Sequence, residues 1–205
     1  MQATTEPKQS TLSHIVPAVL FTVVTIVVFG LIYPMVVWLI GTVVFPFQAN
    51  GSLIKDDKGV VVGSSLIGQL FTKPQYFQGR PSAAGKNGYD PTQTGGTNYA
   101  PTSKKLIDSV AATVTALKKA NPDATGDIPP ELVTSSASGI DPDISPEGAY
   151  YQIPRIAKAR GVSQDAIRAI VDAHLQGRTF GILGEPHVNV FELNRALDAT
   201  PAAKS

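Results

Sequence analysis

Few side chains in this sequence are suited to chemistry, and their spacing narrows the choice further. The three histidines, His14, His174 and His187, lie far apart. None forms an H-x-x-x-H or H-E-x-x-H pair, the spacing that puts two imidazoles on one helical face around zinc. His174 falls on an apolar helical stripe, where a histidine is ordinarily a packed residue, and spacing nominates no serine and acid to complete a hydrolytic triad with it. Cysteine is absent. That removes thiol nucleophiles, disulfides and thiolate-held metals together.

Two loops invite a ligand reading. Asp141-Pro142-Asp143-Ile144-Ser145 begins like a calcium loop, but Pro146 takes the sixth position, where a glycine makes the turn, and Gln152 stands where a bidentate glutamate belongs. Turn acids leading into a helix cap are the simpler account. Thr134-Ser135-Ser136-Ala137-Ser138-Gly139 is rich in hydroxyls and could wrap an anion with backbone N–H groups. It lacks the Lys-Ser/Thr ending of a phosphate-binding loop, which favours an ordinary surface loop. Gly184-Glu185-Pro186-His187 reads as a structural turn.

The elements that must position these groups divide sharply by hydropathy. The chain has 205 residues, room for one domain and an anchor, and a formal net charge of +1 that argues against a nucleic-acid binder. No Asp, Glu, Lys or Arg occurs between Lys8 and Lys55, and Ile15 to Val44 is almost continuously apolar. A bilayer core of ~30 Å needs about 20 such residues as a helix, so this stretch spans lipid with length to spare. The run is too long for a signal-peptide core, and Phe47-Gln48-Ala49 is a poor cleavage site. Pro17 is placed near the helix start, Pro34 is expected to kink the span beside Gly30, and Trp38 sits at interface depth. Lys8 on one flank against Lys55 and Lys58 on the other leaves orientation undecided by charge. We therefore read a tail over 1–14, an anchor over 15–44, a soluble domain over 45–199 and a fraying tail over 200–205.

Within the soluble part, Asn50-Gly51-Ser52 marks the membrane exit. Leu53-Ile54 and Val60-Val61-Val62 flank a turn at Asp56–Gly59, predicting a hairpin, and Ser65 to Phe71 predicts a further strand. Gly79 to Pro101 is a long Gly-, Pro-, Asn- and Thr-rich loop of the kind that often forms a binding surface. Leu106, Ile107, Val110, Val114 and Leu117 predict an amphipathic helix ended by Asn121-Pro122. Ser145-Pro146-Glu147 starts another, which Pro154 is expected to bend or break. Ser163 opens a third, carrying Ile167, Ile170, Val171, His174 and Leu175, with Gly177 as its cap, and a last helix carries Phe191, Leu193, Asn194 and Leu197. Strands early and helices late give an α+β class: one N-terminal transmembrane helix followed by one compact α+β soluble domain. With no catalytic constellation in that domain, residue-level reading ends at a membrane-anchored interaction module.

Taken together, several blocks resemble the C subunit of the Kdp-type potassium-transporting P-type ATPase. They are Gly30-Leu31-Ile32-Tyr33-Pro34, Phe45-Pro46 with Ala49-Asn50-Gly51-Ser52-Leu53, and Gly63-Ser64-Ser65-Leu66-Ile67-Gly68-Gln69. Tyr76-Phe77, Arg80-Pro81-Ser82 and Gly95-Gly96-Thr97-Asn98 follow. Then come Leu132-Val133-Thr134, Ser136-Ala137-Ser138-Gly139-Ile140-Asp141-Pro142, Ile144-Ser145-Pro146, and Gly184-Glu185-Pro186-His187-Val188-Asn189-Val190. The resemblance runs from about Val16 to Leu197. Thr97 stands where serine is commoner in the family and His187 where arginine is commoner, which puts any partner contact of that arginine in doubt.

The resemblance implies a non-catalytic subunit of an ATP-driven potassium uptake complex in the bacterial inner membrane. Its N-terminus would be cytoplasmic and its domain periplasmic. Its partners would be the potassium-conducting A subunit, the ATP-hydrolysing B subunit, a small F peptide and membrane lipid, with no nucleic acid. No cofactor is tightly bound; ATP and K+ belong to the whole complex. The family has been assigned a stabilising or assembling role and a chaperone-like one that raises ATP affinity of the catalytic subunit. The second would make Ser136, Ser138, Gly139 and Asp141 a nucleotide-associated loop. The first would put Gly30, Pro34, Tyr76, Phe77, Arg80, Asn98 and His187 at partner interfaces. A membrane-anchored extracytoplasmic hydrolase using His174 or His187, or a solute-sensing domain, is the alternative.

Overall fold

In the computed structural model, residues 11–200 are described, side chains from Ser13. The expectations for the first ten residues and for 201–205 lie outside this range. The chain divides into two units, one up to Ser52 and one from Leu53 onward.

The first unit is a helical rod. α1 (Thr11–Val27) runs through a π-turn (Val28–Ile32) into α2 (Tyr33–Val44), followed by a short α3 (Pro46–Ala49). Ser13–Val44 is 32 residues whose most apolar 18-residue stretch has a mean hydropathy of 2.8, long and apolar enough to cross a membrane, and the large apolar side chains along it are exposed. Pro17 lies inside α1 and not in its first turn. The irregularity expected at Pro34 takes the form of the π-turn. Pro34 has no N–H to give, and the wide turn in front of it re-registers the ladder, with the Tyr33 N–H donating to the Val28 carbonyl. Thr22, Thr25 and Thr42 bond their hydroxyls back to carbonyls three or four residues earlier, so no polar group in these side chains is left to the lipid. The rod ends where Asn50 Nδ2 donates to the Pro46 carbonyl at 2.6 Å and Gly51 turns with φ of 82°.

The second unit is built around three helices. α5 (Pro146–Arg160) begins at a Ser145 cap whose hydroxyl accepts from Gly148 N at 3.0 Å, and it ends at Gly161, φ 68°. Pro154 does not break it. Ala149, Ile153, Ile156 and Ala157 are buried around the proline, and burying them outweighs a helix-interior proline's cost of ~3 kcal/mol. α6 (Gln164–Ala173), capped by Ser163, contributes Ile167 and Val171, and α7 (Val190–Ala199), capped by Asn189, contributes Leu193 and Leu197. β3 (Asp143–Ile144) and β4 (Val188–Asn189) pair antiparallel, and Ile144 and Val188 join the same core with Phe77 and Leu132.

β1 (Leu53–Lys55) and β2 (Val61–Ser64) form the expected hairpin, with the Asp56 carboxylate accepting from Lys58 N and Val60 N. The expected strand over 65–71 is not formed. Ser64 and Ile67 make a single bridge, and Gly68 N then donates to Ile140 O at 2.8 Å, which draws the chain away from any ladder. Gly79 to Ser103 carries no helix or strand. α4 (Lys104–Ala120) forms on its predicted stripe, yet none of its residues is buried and Ile107 faces solvent. α6 also stops earlier than expected. His174, not Gly177, caps it, with Nδ1 2.8 Å from the Ile170 carbonyl, because Gln176 is drawn into pairing with His187.

Candidate functional site

The hydroxyl-rich loop is stitched to the long glycine-rich one. Gly95 N donates to Ser138 O at 2.8 Å, and the Ser82 hydroxyl donates to Gly139 O at 2.5 Å while accepting from Tyr89 N at 2.7 Å. The Tyr89 hydroxyl donates to Arg80 O at 2.6 Å. Arg80 reaches across with Nη1 3.1 Å from Asp141 Oδ2 and Nη2 3.4 Å from Ser135 O, while its Nε is buried without a protein acceptor. Burial pushes the Tyr89 phenol up to about 12, Asp141 adding to the rise and Arg80 opposing it, so this hydroxyl stays a donor at neutral pH.

The residues proposed to meet a nucleotide bond within and beside their own loop. The Ser136 hydroxyl accepts from Gly139 N at 2.9 Å, and the Ser138 hydroxyl accepts from Ile140 N at 3.2 Å. Asp141 Oδ1 accepts from Asp143 N at 3.1 Å and its other oxygen meets Arg80. Gly139 sits at φ 70°, where a Cβ would lie 2.7 Å from Gly95 O and 2.8 Å from the Ala84 Cβ. The glycine is required because the two loops touch there through backbone. The described arrangement is a clasp between loops.

The remaining predicted residues scatter. Phe77 is fully buried: its ring belongs to the core and not to a partner surface, and its backbone exchanges two bonds with Asn194, at 2.8 and 2.9 Å. Tyr76 stays half-exposed, donating to Asp198 at 2.9 Å beneath the Arg160 guanidinium, 5.2 Å from its ring centroid. Asn98 is exposed, with φ of 52°. His187 lies with Nδ1 3.0 Å from Glu185 O and Nε2 3.9 Å from Asp143 Oδ2. Burial raises the Asp143 carboxyl; His187 lowers it, while Asp141 and Glu192 add to the rise. His174 is tied to its own helix end, with no hydroxyl among the described residues bonded to it. Among the described residues, no group of three His, Asp or Glu side chains is placed to hold a metal.

Sequence reasoning missed the polar pin of the second unit. Arg155, 7% exposed, donates from Nε to Asn121 Oδ1 at 2.8 Å and from Nη1 to the carbonyls of Pro74 and Tyr76 at 2.5 and 3.0 Å. Its Nη2 donates to Gln152 Oε1 at 2.7 Å. Burial pushes the guanidinium down to about 10, so it remains charged at neutral pH. The available signal was Gln152 and Arg155 on the same helical face as Ile156. A cleft of about 590 Å³ also went unseen. It runs beside Leu117 of α4 and is walled by Phe71, Arg80, Lys86, Tyr89 and Gln152, among others.

The comparisons with known proteins agree with one another. Residues 15–199 match the family described as KdpC, the K+-transporting ATPase c chain. A potassium-transporting ATPase KdpC subunit of Myxococcus xanthus is 54% identical over 176 residues, 86% of this chain and 83% of that protein. The corresponding subunits of Burkholderia cenocepacia and Caulobacter vibrioides are each 50% identical, over 93% and 92% of this chain and 98% and 94% of theirs. By these matches the chain belongs to the KdpC family, the non-catalytic c chain of K+-transporting ATPases.

Proposed function

We propose that this chain assembles and stabilises an ATP-driven potassium uptake complex in the bacterial inner membrane. It would hold the potassium-conducting A subunit and the ATP-hydrolysing B subunit together, with the small F peptide as a further neighbour. The N-terminus is cytoplasmic and the domain over 45–199 extracytoplasmic. ATP and K+ belong to the assembly, and the chain carries no cofactor of its own.

The observation that carries this reading is the direction in which the side chains of the second unit face. The hydroxyls and carboxylate of Ser136, Ser138 and Asp141 are engaged by their own backbone and by Arg80, while Leu53, Val60, Val61 and Val62 on one small hairpin stand exposed. Exposed apolar groups on such an element favour contact with another protein. The span supports the same reading. A Cβ on Gly30 would meet only Ile26 Cγ2, at 3.8 Å, so a neighbouring helix has room to approach there. Any rise in ATP affinity would then pass through the assembly and not through a nucleotide held by the Ser136–Asp141 loop.

The test is a mild-detergent pull-down of the tagged chain from native membranes of potassium-starved cells. Two larger membrane proteins and potassium-stimulated ATP hydrolysis in the eluate support the proposal. Recovery of the chain alone would sink it, and the domain should then be screened for ligands and for ester or peptide turnover.

A further inference from the structure

Between α6 and β4 the chain projects a stiff tongue over residues 176–187. At its base, Gln176 N donates to His187 O at 2.9 Å and His187 N returns a bond to Gln176 O at 3.0 Å. Nearer the tip, Thr179 N and Leu183 O are 2.8 Å apart, and Leu183 N and Thr179 O 3.0 Å. An ion pair closes the sides, with Arg178 Nη2 2.6 Å from Glu185 Oε2. At the end of this braced element, Phe180 is 88% exposed, Ile182 74% and Leu183 57%. Phe180 also holds φ of 55°, a left-handed backbone that an aromatic residue keeps only where its surroundings impose it. Strain and bracing that present three apolar side chains to water do nothing for the free chain. They make sense for a shape formed in advance of its partner.

We propose that the tongue is a preformed plug, inserting Phe180, Ile182 and Leu183 into an apolar socket on another integral-membrane subunit of the complex. The inference rests on the subunit reading above. Charge decides against the bilayer as the occupant: the collar behind the tip is Arg178 paired with Glu185 and so neutral, whereas a loop that enters an anionic lipid surface gains from an excess of Lys and Arg. Four hollows among the described residues fit the tip of a second copy poorly. The larger ones carry charged walls, Arg80 and Lys86 in one, Lys118 and Asp127 in another, Asp56, Asp57, Arg195 and Asp198 in a third. The small one between α6 and α7, lined by Ile167, Ile170 and Leu197, holds only about 30 Å³.

The test places p-benzoylphenylalanine at position 180 of the full chain, co-expressed with its partner subunits, and irradiates native membranes. The expected product is one adduct with a subunit that also co-purifies with the wild-type chain, identified by its peptide masses. Phe180→Asp, and Ile182→Asn, which leaves the strained backbone at Phe180 alone, should lower recovery of that subunit roughly tenfold or more, the scale of a central apolar anchor. Both variants should melt with the wild-type chain in detergent, since Phe180 and Ile182 are 88% and 74% exposed. Adducts with phospholipid or with a second copy overturn the proposal, as does unchanged recovery of partners by both variants. A wild-type chain that brings no partner down overturns the subunit reading itself.

Discussion

Replacing Arg155 by methionine should cost the second unit about 3–5 kcal/mol, the range for removing one partner of a buried charged network. Methionine fills much of the same space, so the cost is polar. The carbonyls of Pro74 and Tyr76 and the amide oxygen of Asn121 each lose the guanidinium, whereas Gln152 Oε1 keeps its bond from Gln78 N at 2.9 Å. Three stranded acceptors at about 1–3 kcal/mol each set a gross loss of about 3–9 kcal/mol. The variant no longer bears the cost of desolvating a guanidinium, which gives back several kcal/mol and brings the net into the lower half of that range. For a unit of this size each kcal/mol moves the melting temperature by about 2–4 °C, so a fall of about 6–20 °C is expected. The assay is thermal and denaturant unfolding of the full chain in detergent, followed by far-ultraviolet circular dichroism. Arg155→Lys should fall between the two, because an ammonium keeps the charge but cannot reach four acceptors spread around a planar fork. Amide exchange should rise first in α4, which has no buried residue and is clamped at its end through Asn121. A methionine variant within about 1 kcal/mol of wild type would show that water satisfies these acceptors and that the pin is incidental. A lysine variant equal to wild type would show that charge, not geometry, matters.

Gly139→Ala should cost about 2–4 kcal/mol, since its Cβ meets Gly95 O and Ala84, while Gly126→Ala, at φ 89° with open space around it, should cost about 1; equal denaturation midpoints would remove the clasp argument. Asp143 has its carboxyl raised by burial, so the stability it contributes is complete below the ordinary aspartate range and is lost as pH rises through its folded value. Asp143→Asn should therefore stabilise the chain at neutral pH, with the gain vanishing toward pH values below that range, and a pH-independent gain would refute burial as the cause. Gly30→Leu should leave membrane insertion intact and weaken co-purification with partners; equal recovery would mean that no helix approaches this face of the span.

What the sequence made legible was whatever local rules decide. The anchor follows from a stretch without charge, and α5 and α6 from Ser145 and Ser163 set just before apolar periods. The misses are places where distant contacts override those rules. Pro154 survives because its helix is buried around it. The strand expected at 65–71 yields to a bond from Gly68 to Ile140, and α6 ends early because Gln176 pairs with His187. The loop at 134–141 was visible as a run of hydroxyls, but its role was not. The groups that fix its function as a clasp, Ser82, Tyr89 and Gly95, lie some 40 to 60 positions earlier, and no spacing within the loop records them. Arg155 was hidden for the same reason, its acceptors at Pro74 and Tyr76 being supplied by a distant segment.

This division has a consequence for how such a subunit can work. Fixing the backbone of one residue costs about 1–2 kcal/mol, and the stretch from Gly79 to Ser103 has no helix or strand to offset that cost through repeated hydrogen bonds. Its shape is held by single contacts: Ser82 to Gly139, Tyr89 to Arg80 O, Gly95 to Ser138, Arg80 to Asp141. An enzyme concentrates its polar side chains where they face substrate. Here many of them face the chain's own backbone, and the exposed apolar groups of the second unit include those of the β1–β2 hairpin and of the braced tongue. On the proposed reading, polar chemistry in this protein maintains surface shape and recognition is left to apolar contact. A chain arranged in this way fits the proposed role of holding larger partners in register.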